Sequence, residues 1–447
     1  MKNIKELIIK NKIIILLALL FVIILIYLAI NTKRQIKLGT QSQGITSEIV
    51  SEDINDSDYL EEASDEDIAS ENNYDEDDYS WLLPQADHEI FTEEEKKQIE
   101  ADTLRNATSV WKLYENITID ESLPSFSSGI AGFTKEQRIS VLEALGELGV
   151  IATTDDANTQ NGGKLSPFYD DYLSGKPGMV TVYKVYDDGL IGSHTFLYRN
   201  EEIQSYYVEV KPGVDGQPRI SGKNVKEITT INYTPKGYFI YEAKNPMLHA
   251  SAFGYFRISP MSDECRSLTD KYLKYLEFQK YKLMVCDWNE ETVHELLMPG
   301  MFEDFYYIKY HEGYRDSFDA IPGDLFEDIM TTYLPVTVAD LRRAYEYNKA
   351  TGTYGQETVY NSPYPPFLEV TDYKYNADGT ITLYADGVWP DYNSDLAFTN
   401  VIVVKPFDDG TFKILSNEVT EKELRLPPVA YIDMERDPQS GESPDAR

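Results

Sequence analysis

Five residues near the carboxy-terminal end hold the types and spacing that could do chemistry. In "VWPDYNSD", Asp391, Asn393 and Asp395 stand at alternate positions, the spacing that opens a calcium-binding loop. The sixth loop position is Leu396 instead of Gly and the twelfth is Ile402 instead of Glu, so the segment is not an EF-hand. Two readings stay open, an irregular Ca²⁺ site and an Asx-rich turn. Trp389 and Tyr392 frame the same loop and could stack on a sugar ring while the neighbouring carboxylates accept hydroxyl hydrogen bonds. The opposing reading makes Trp389 a loop anchor.

Other motifs fall short of their chemistry. "HELLM" offers His294 and Glu295, but Met298 stands where a zinc-binding helix needs its second histidine. "DDANTQNGG" fails as a calcium loop because Pro167 occupies the twelfth position from Asp156. "GQPRISGKN" has its glycines one residue too far apart for a phosphate loop, and Asn224 follows Lys223 where Ser or Thr is required. No Gly-x-Ser-x-Gly elbow occurs, and none of the five histidines has a recognisable catalytic setting. The 76 acidic residues single out no carboxylate pair for glycoside hydrolysis. Cys265 and Cys286 are the whole thiol inventory, and they allow either an exported disulfide or two free thiols.

The charge narrows the partners. A net charge of −35 disfavours nucleic acid and anionic membrane surfaces, both of which need clustered Lys and Arg. The 34 tyrosines suit half-buried strands and binding surfaces without naming a ligand.

The order of elements gives an α+β expectation. An N-terminal transmembrane helix comes first, then a disordered acidic linker, then antiparallel β-sheet segments flanking a helical middle. Residues 1–12 read as a cytoplasmic tail. Residues 13–31 form the anchor, whose uncharged run "IIILLALLFVIILIYLAI" at 13–30 would enter the lipid bilayer. Lys2, Lys5, Lys10 and Lys12 precede the run and orient the chain with its N terminus cytoplasmic and its body extracytoplasmic. Residues 32–90 are carboxylate-rich and lack hydrophobic periodicity, the mark of a disordered tether. Residues 91–262 read as a helical entry followed by antiparallel strands, with N-caps at Thr92 and Thr134 and turns at Asp188-Gly189 and Lys236-Gly237. Residues 263–350 read as helices. They include a long one over 263–283, one opened by Thr337 and Asp340, and an aromatic stripe from Phe302 through Tyr306, Tyr310 and Tyr314 to Phe318. Residues 351–425 read as β-hairpins turning at Asp378-Gly379 and Asp409-Gly410, and 426–447 as a polar tail.

Three stretches, "GFTKEQRISVLEALGELGVIA", "DLFEDIMTTYLPVTVADLRRAYEYN" and "NADGTITLYADGV…FDDGTFKILSN", resemble an uncharacterised family of single-pass membrane-anchored proteins from Gram-positive gut bacteria, a domain of unknown function. The resemblance implies a bacterial, exported protein and supplies no catalytic residue. The expected role is a cell-surface binding or interaction module, with a cell-wall glycan or an envelope protein as partner and no cofactor beyond the open Ca²⁺ reading. The alternative is an envelope hydrolase acting on glycans or peptides through unrecognised carboxylates.

Overall fold

A computed structural model describes residue 86 and residues 88–423, except 116, 120–129, 214–216, 245–250, 277, 279 and 357–363. The segments expected as tail, anchor and most of the acidic linker lie outside the described residues, as does the polar tail. Among the described residues, no helix is long and apolar enough to cross a membrane.

Helix α1 (Glu93–Val110) starts where the Thr92 hydroxyl accepts from the Glu95 amide and the Glu95 carboxylate returns the bond to the Thr92 amide. Helix α2 (Lys135–Glu147) begins with the same reciprocal pair, Thr134 and Gln137. Each pair satisfies two amides that a helix start otherwise leaves without partners. Thr134→Ala is expected to cost about 1 kcal/mol of unfolding free energy, read as a lower urea midpoint at unchanged slope.

A short ribbon of β1 (Thr118–Ile119) and β2 (Ile130–Ala131) precedes α2. Seven strands then form one sheet in sequence order. They are β3 (Ile151–Thr153), β4 (Gly178–Val185), β5 (Ile191–Arg199), β6 (Glu202–Lys211), β7 (Arg219–Tyr233), β8 (Tyr238–Ala243) and β9 (Phe253–Arg257). The β3–β4 pair is parallel, because helix α3 (Ser166–Leu173) carries the chain back between the two strands. Helices α1 and α2 cover one face, where Val141, Leu142 and Leu145 meet Tyr183, Val185 and Ile191. Helix α3 covers part of the other face, and its Phe168 shares a core with Val182, Phe196 and Phe256.

The second half starts with α4 (Asp263–Tyr272), capped by Ser262. It continues through α5 (Met301–Tyr310), α6 (Gly323–Tyr333) and α7 (Val338–Ala344). A three-stranded sheet of β10 (Ile321–Pro322), β11 (Glu346–Asn348) and β12 (Thr353–Gly355) lies among these helices. A four-stranded meander closes the half: β13 (Phe367–Tyr375), β14 (Ile381–Trp389), β15 (Ser394–Pro406) and β16 (Phe412–Glu421). Helices and meander share one core, in which Phe326 stacks on Phe302 and Tyr354 at 5.1 and 4.3 Å.

The expected fold class is therefore corrected. The chain is a mixed α/β protein in which sheets dominate the described residues, not antiparallel segments flanking a helical middle. The parallel β3–β4 pair breaks the antiparallel expectation. The middle is interrupted: the helix expected over 263–283 ends at Tyr272, and the residues after Ala344 enter β11. The aromatic stripe leaves its helix too, because His311 takes a left-handed conformation at φ 56°. Its rings still meet, since Tyr314 folds back to within 5.3 Å of Phe302 and 5.2 Å of Tyr306.

Candidate functional site

The two halves meet along β8, β9, β13 and the turn after β14. Apolar contact comes from Tyr238, Ile240 and Val388, joined by Phe253 and Phe367. Polar bonds cross beside it. Asn232 Nδ2 donates to Asn393 Oδ1 at 3.0 Å, the Lys236 amide donates to Asp395 Oδ2 at 2.8 Å, and Lys236 Nζ pairs with Asp386. Ser251 Oγ lies 2.9 Å from Asp391 Oδ2.

These bonds account for the loop singled out in the sequence. Asp391, Asn393 and Asp395 each bond a different residue of the first half. Asn393 takes a left-handed conformation at φ 54°, which turns the chain between Tyr392 and β15. Burial raises the Asp391 carboxyl above its usual pKa, and the Ser251 hydroxyl partly offsets this. Among the described residues, no group of three or more His, Cys, Asp or Glu side chains is gathered as for a metal ion. Trp389 is buried, its Nε1 donating to the Tyr364 carbonyl at 3.2 Å, while Tyr392 packs on it at 4.2 Å and faces outward. The remaining sequence candidates are separated. Cys265 and Cys286 are free thiols, the first buried in α4 and the second bonded to the Lys282 carbonyl at 3.1 Å. His294 and Glu295 sit on a 3-10 turn, and most of "GQPRISGKN" is the start of β7 instead of a loop.

Sequence reasoning passed over the concave site itself. A cavity of about 310 Å³ opens where β9, α4 and β13 converge. Tyr255 and Phe367 stack at its rim with ring centres 5.6 Å apart. On its wall the Arg257 guanidinium grips Glu369 with two bonds, 2.7 and 2.8 Å long, and the Tyr238 hydroxyl donates to the same carboxylate. Burial opposes ionisation of Glu369, but the bonds and charge of Arg257 prevail and leave the carboxyl below its usual pKa.

The other cavity acids are also matched. Asp155 lies 3.2 Å from Lys184, and Asp270 lies 3.3 Å from Lys135 and 3.8 Å from Lys274. Arg266, on the same cavity wall, is the exception. It donates through Nη2 to Asn158 Oδ1, and among the described residues it makes no ion pair and its buried Nε has no hydrogen-bond partner. Burial, with the charge of Arg257 second, weakens its hold on its proton relative to a free arginine. In a chain of 76 acids and 41 lysines and arginines, Arg266 lines the cavity with no carboxylate in ion-pair range among the described residues, although the charges of Asp270 and Glu369 act on it.

A family model described as a family of unknown function (DUF6070) matches residues 96–434, which takes in both halves and the cavity between them. No curated protein and no solved structure matches the chain.

Proposed function

Because the chain belongs to that family of unknown function, we propose its role from the cavity: a binding module that recognises a carboxylate-bearing ligand between its two halves. The observation that carries this reading is Arg266, whose Nε faces no partner while each acid of the cavity is held by another cation. A carboxylate placed beside the Arg266 guanidinium would gain a charge-assisted bond. The Tyr255–Phe367 pair supplies an apolar wall for the body of the ligand. Glu369 does not support a hydrolytic reading, since Arg257 and Tyr238 hold it ionised and fully engaged.

An extracytoplasmic setting at the cell membrane goes with this role. It is supported by the uncharged run of residues 13–30 and the lysines before it. Protease applied to intact cells is expected to release the folded body; protection until lysis would reverse that orientation.

Calorimetric titration with glucuronate, benzoate and an acetylated dipeptide tests the site. At least one carboxylate is expected to bind, with its uncharged counterpart at least tenfold weaker. Arg266→Ala is expected to remove at least tenfold of that affinity without lowering the Tm, and Arg266→Lys to restore part of it. Carboxylate binding that is indifferent to Arg266→Ala would reject the site.

A further inference from the structure

A second cavity, of about 430 Å³, lies beside the first and shares Lys274, Leu276 and Phe367 with it. Two hollows with a common wall make one groove, and Phe367 is the ridge between them. The far hollow has its own aromatic platform, Tyr275 and Tyr307, with ring centres 4.9 Å apart and Tyr307 36% exposed.

The two hollows differ in charge. The near one holds Arg266, which makes no ion pair among the described residues. In the far one Lys280 is balanced, lying 3.4 Å from Glu303 and 3.2 Å from Asp304, and Tyr281 donates to Asp304 at 2.6 Å. A second anion would meet a site already neutral, within a chain carrying −35 overall. A neutral, hydroxyl-rich ring fits better, since its hydroxyls donate to Glu303 while its apolar face stacks on tyrosine. The rim bears on the choice between sugar and peptide. Pro365 and Pro366 border the far hollow and present no main-chain N–H, which removes donors that an added peptide strand would need.

We infer that the groove binds a linear saccharide with one acidic sugar at Arg266 and a neutral sugar beyond Phe367 on the Tyr275–Tyr307 platform. This rests on the carboxylate reading above and adds to it the polymer class and the second subsite.

The test compares the full-length chain against glucuronate, a glucuronate-terminated disaccharide and the matching tetrasaccharide, whose other sugars are neutral. Affinity is expected to rise at least tenfold from the monosaccharide to the tetrasaccharide. Tyr307→Ala is expected to abolish that gain while leaving glucuronate binding and the Tm unchanged, and Tyr307→Phe to retain it. Arg266→Ala is expected to weaken all three ligands together. Equal affinity for all lengths, or a length gain untouched by Tyr307→Ala, would overturn the two-subsite groove while leaving the carboxylate site standing. Tighter binding of an acidic tetrapeptide than of the tetrasaccharide would overturn the polymer class. Failure of all three saccharides to bind the folded chain would overturn the inference as well, leaving the carboxylate reading to benzoate and the dipeptide.

Discussion

Replacing Glu369 with alanine is expected to lower the unfolding free energy by about 3–5 kcal/mol, the usual cost of stripping one partner from a buried ion pair. The carboxylate is almost wholly buried, its side chain 6% exposed, and it accepts both Arg257 bonds and the Tyr238 bond. Removing it leaves the Tyr238 phenol without its acceptor and the Arg257 guanidinium without its counter-ion, held by the Ser259 carbonyl, at the seam between the halves. Glu369→Gln keeps the shape and loses the charge, so an intermediate loss is expected. The pH dependence has a definite sign. The folded pKa of Glu369 is depressed, so its stabilisation is present above the unfolded value, about 4.3, and is lost as pH falls through the folded value. Denaturant unfolding of wild type and Glu369→Gln between pH 7 and 3 should show a steeper acid limb in the wild type. A loss below 1 kcal/mol for Glu369→Ala at pH 7 would mean that the seam does not depend on this pair.

His194 should produce the second large effect, over a different range. Burial, reinforced by the charges of Lys184 and Lys226, pulls its pKa down to about 3. Its ring lies between Tyr207 and Phe256, and its Nε2 is 3.1 Å from the Tyr186 hydroxyl. Glu209, the nearby acid, is occupied by the Tyr207 and Ser221 hydroxyls. The unfolded histidine takes up a proton below about pH 6.5, whereas the folded one stays neutral. Stability should therefore fall as pH drops from about 6.5 towards 3, with a slope of at most about 1.4 kcal/mol per pH unit. His194→Gln should flatten this slope between pH 6.5 and 4.5, above the range where Glu369 titrates. An imidazole resonance that is lost in His194→Gln and titrates near pH 6.5 in the folded wild type would contradict the assignment.

What was legible in the sequence was local. Thr134 with Gln137 and Thr337 with Asp340 announce helix starts by side chains that reach three residues along the chain. The turns at Gly379 and Gly410 are legible for a similar reason, because both adopt positive φ, 83° and 89°, that glycine accepts most easily. The extent of α4 was not legible. Leu276 and Leu283 continue a helical apolar spacing after Tyr272, but tertiary packing buries both without a helix. The cavity was hidden for a related reason. Arg257 and Glu369 are 112 positions apart, and no spacing rule connects a residue of β9 with one of β13. Arg266 offered a faint signal, a cation just past the first turn of α4, where the positive end of the helix disfavours one. The loop at 389–395 drew notice for its acidic residues, and those acids bond the opposite half of the molecule.

The seam also bears on how the chain comes together in time. Each sheet is assembled largely from neighbouring strands, so most of its pairings close over short loops. The seam bonds instead join residues 112 to 161 positions apart, from Arg257–Glu369 to Asn232–Asn393. Contacts of such high order carry the largest loop-closure entropy and are rewarded only once their flanking elements exist. Refolding should therefore run through two nearly complete halves, with the groove assembling last, at the docking step.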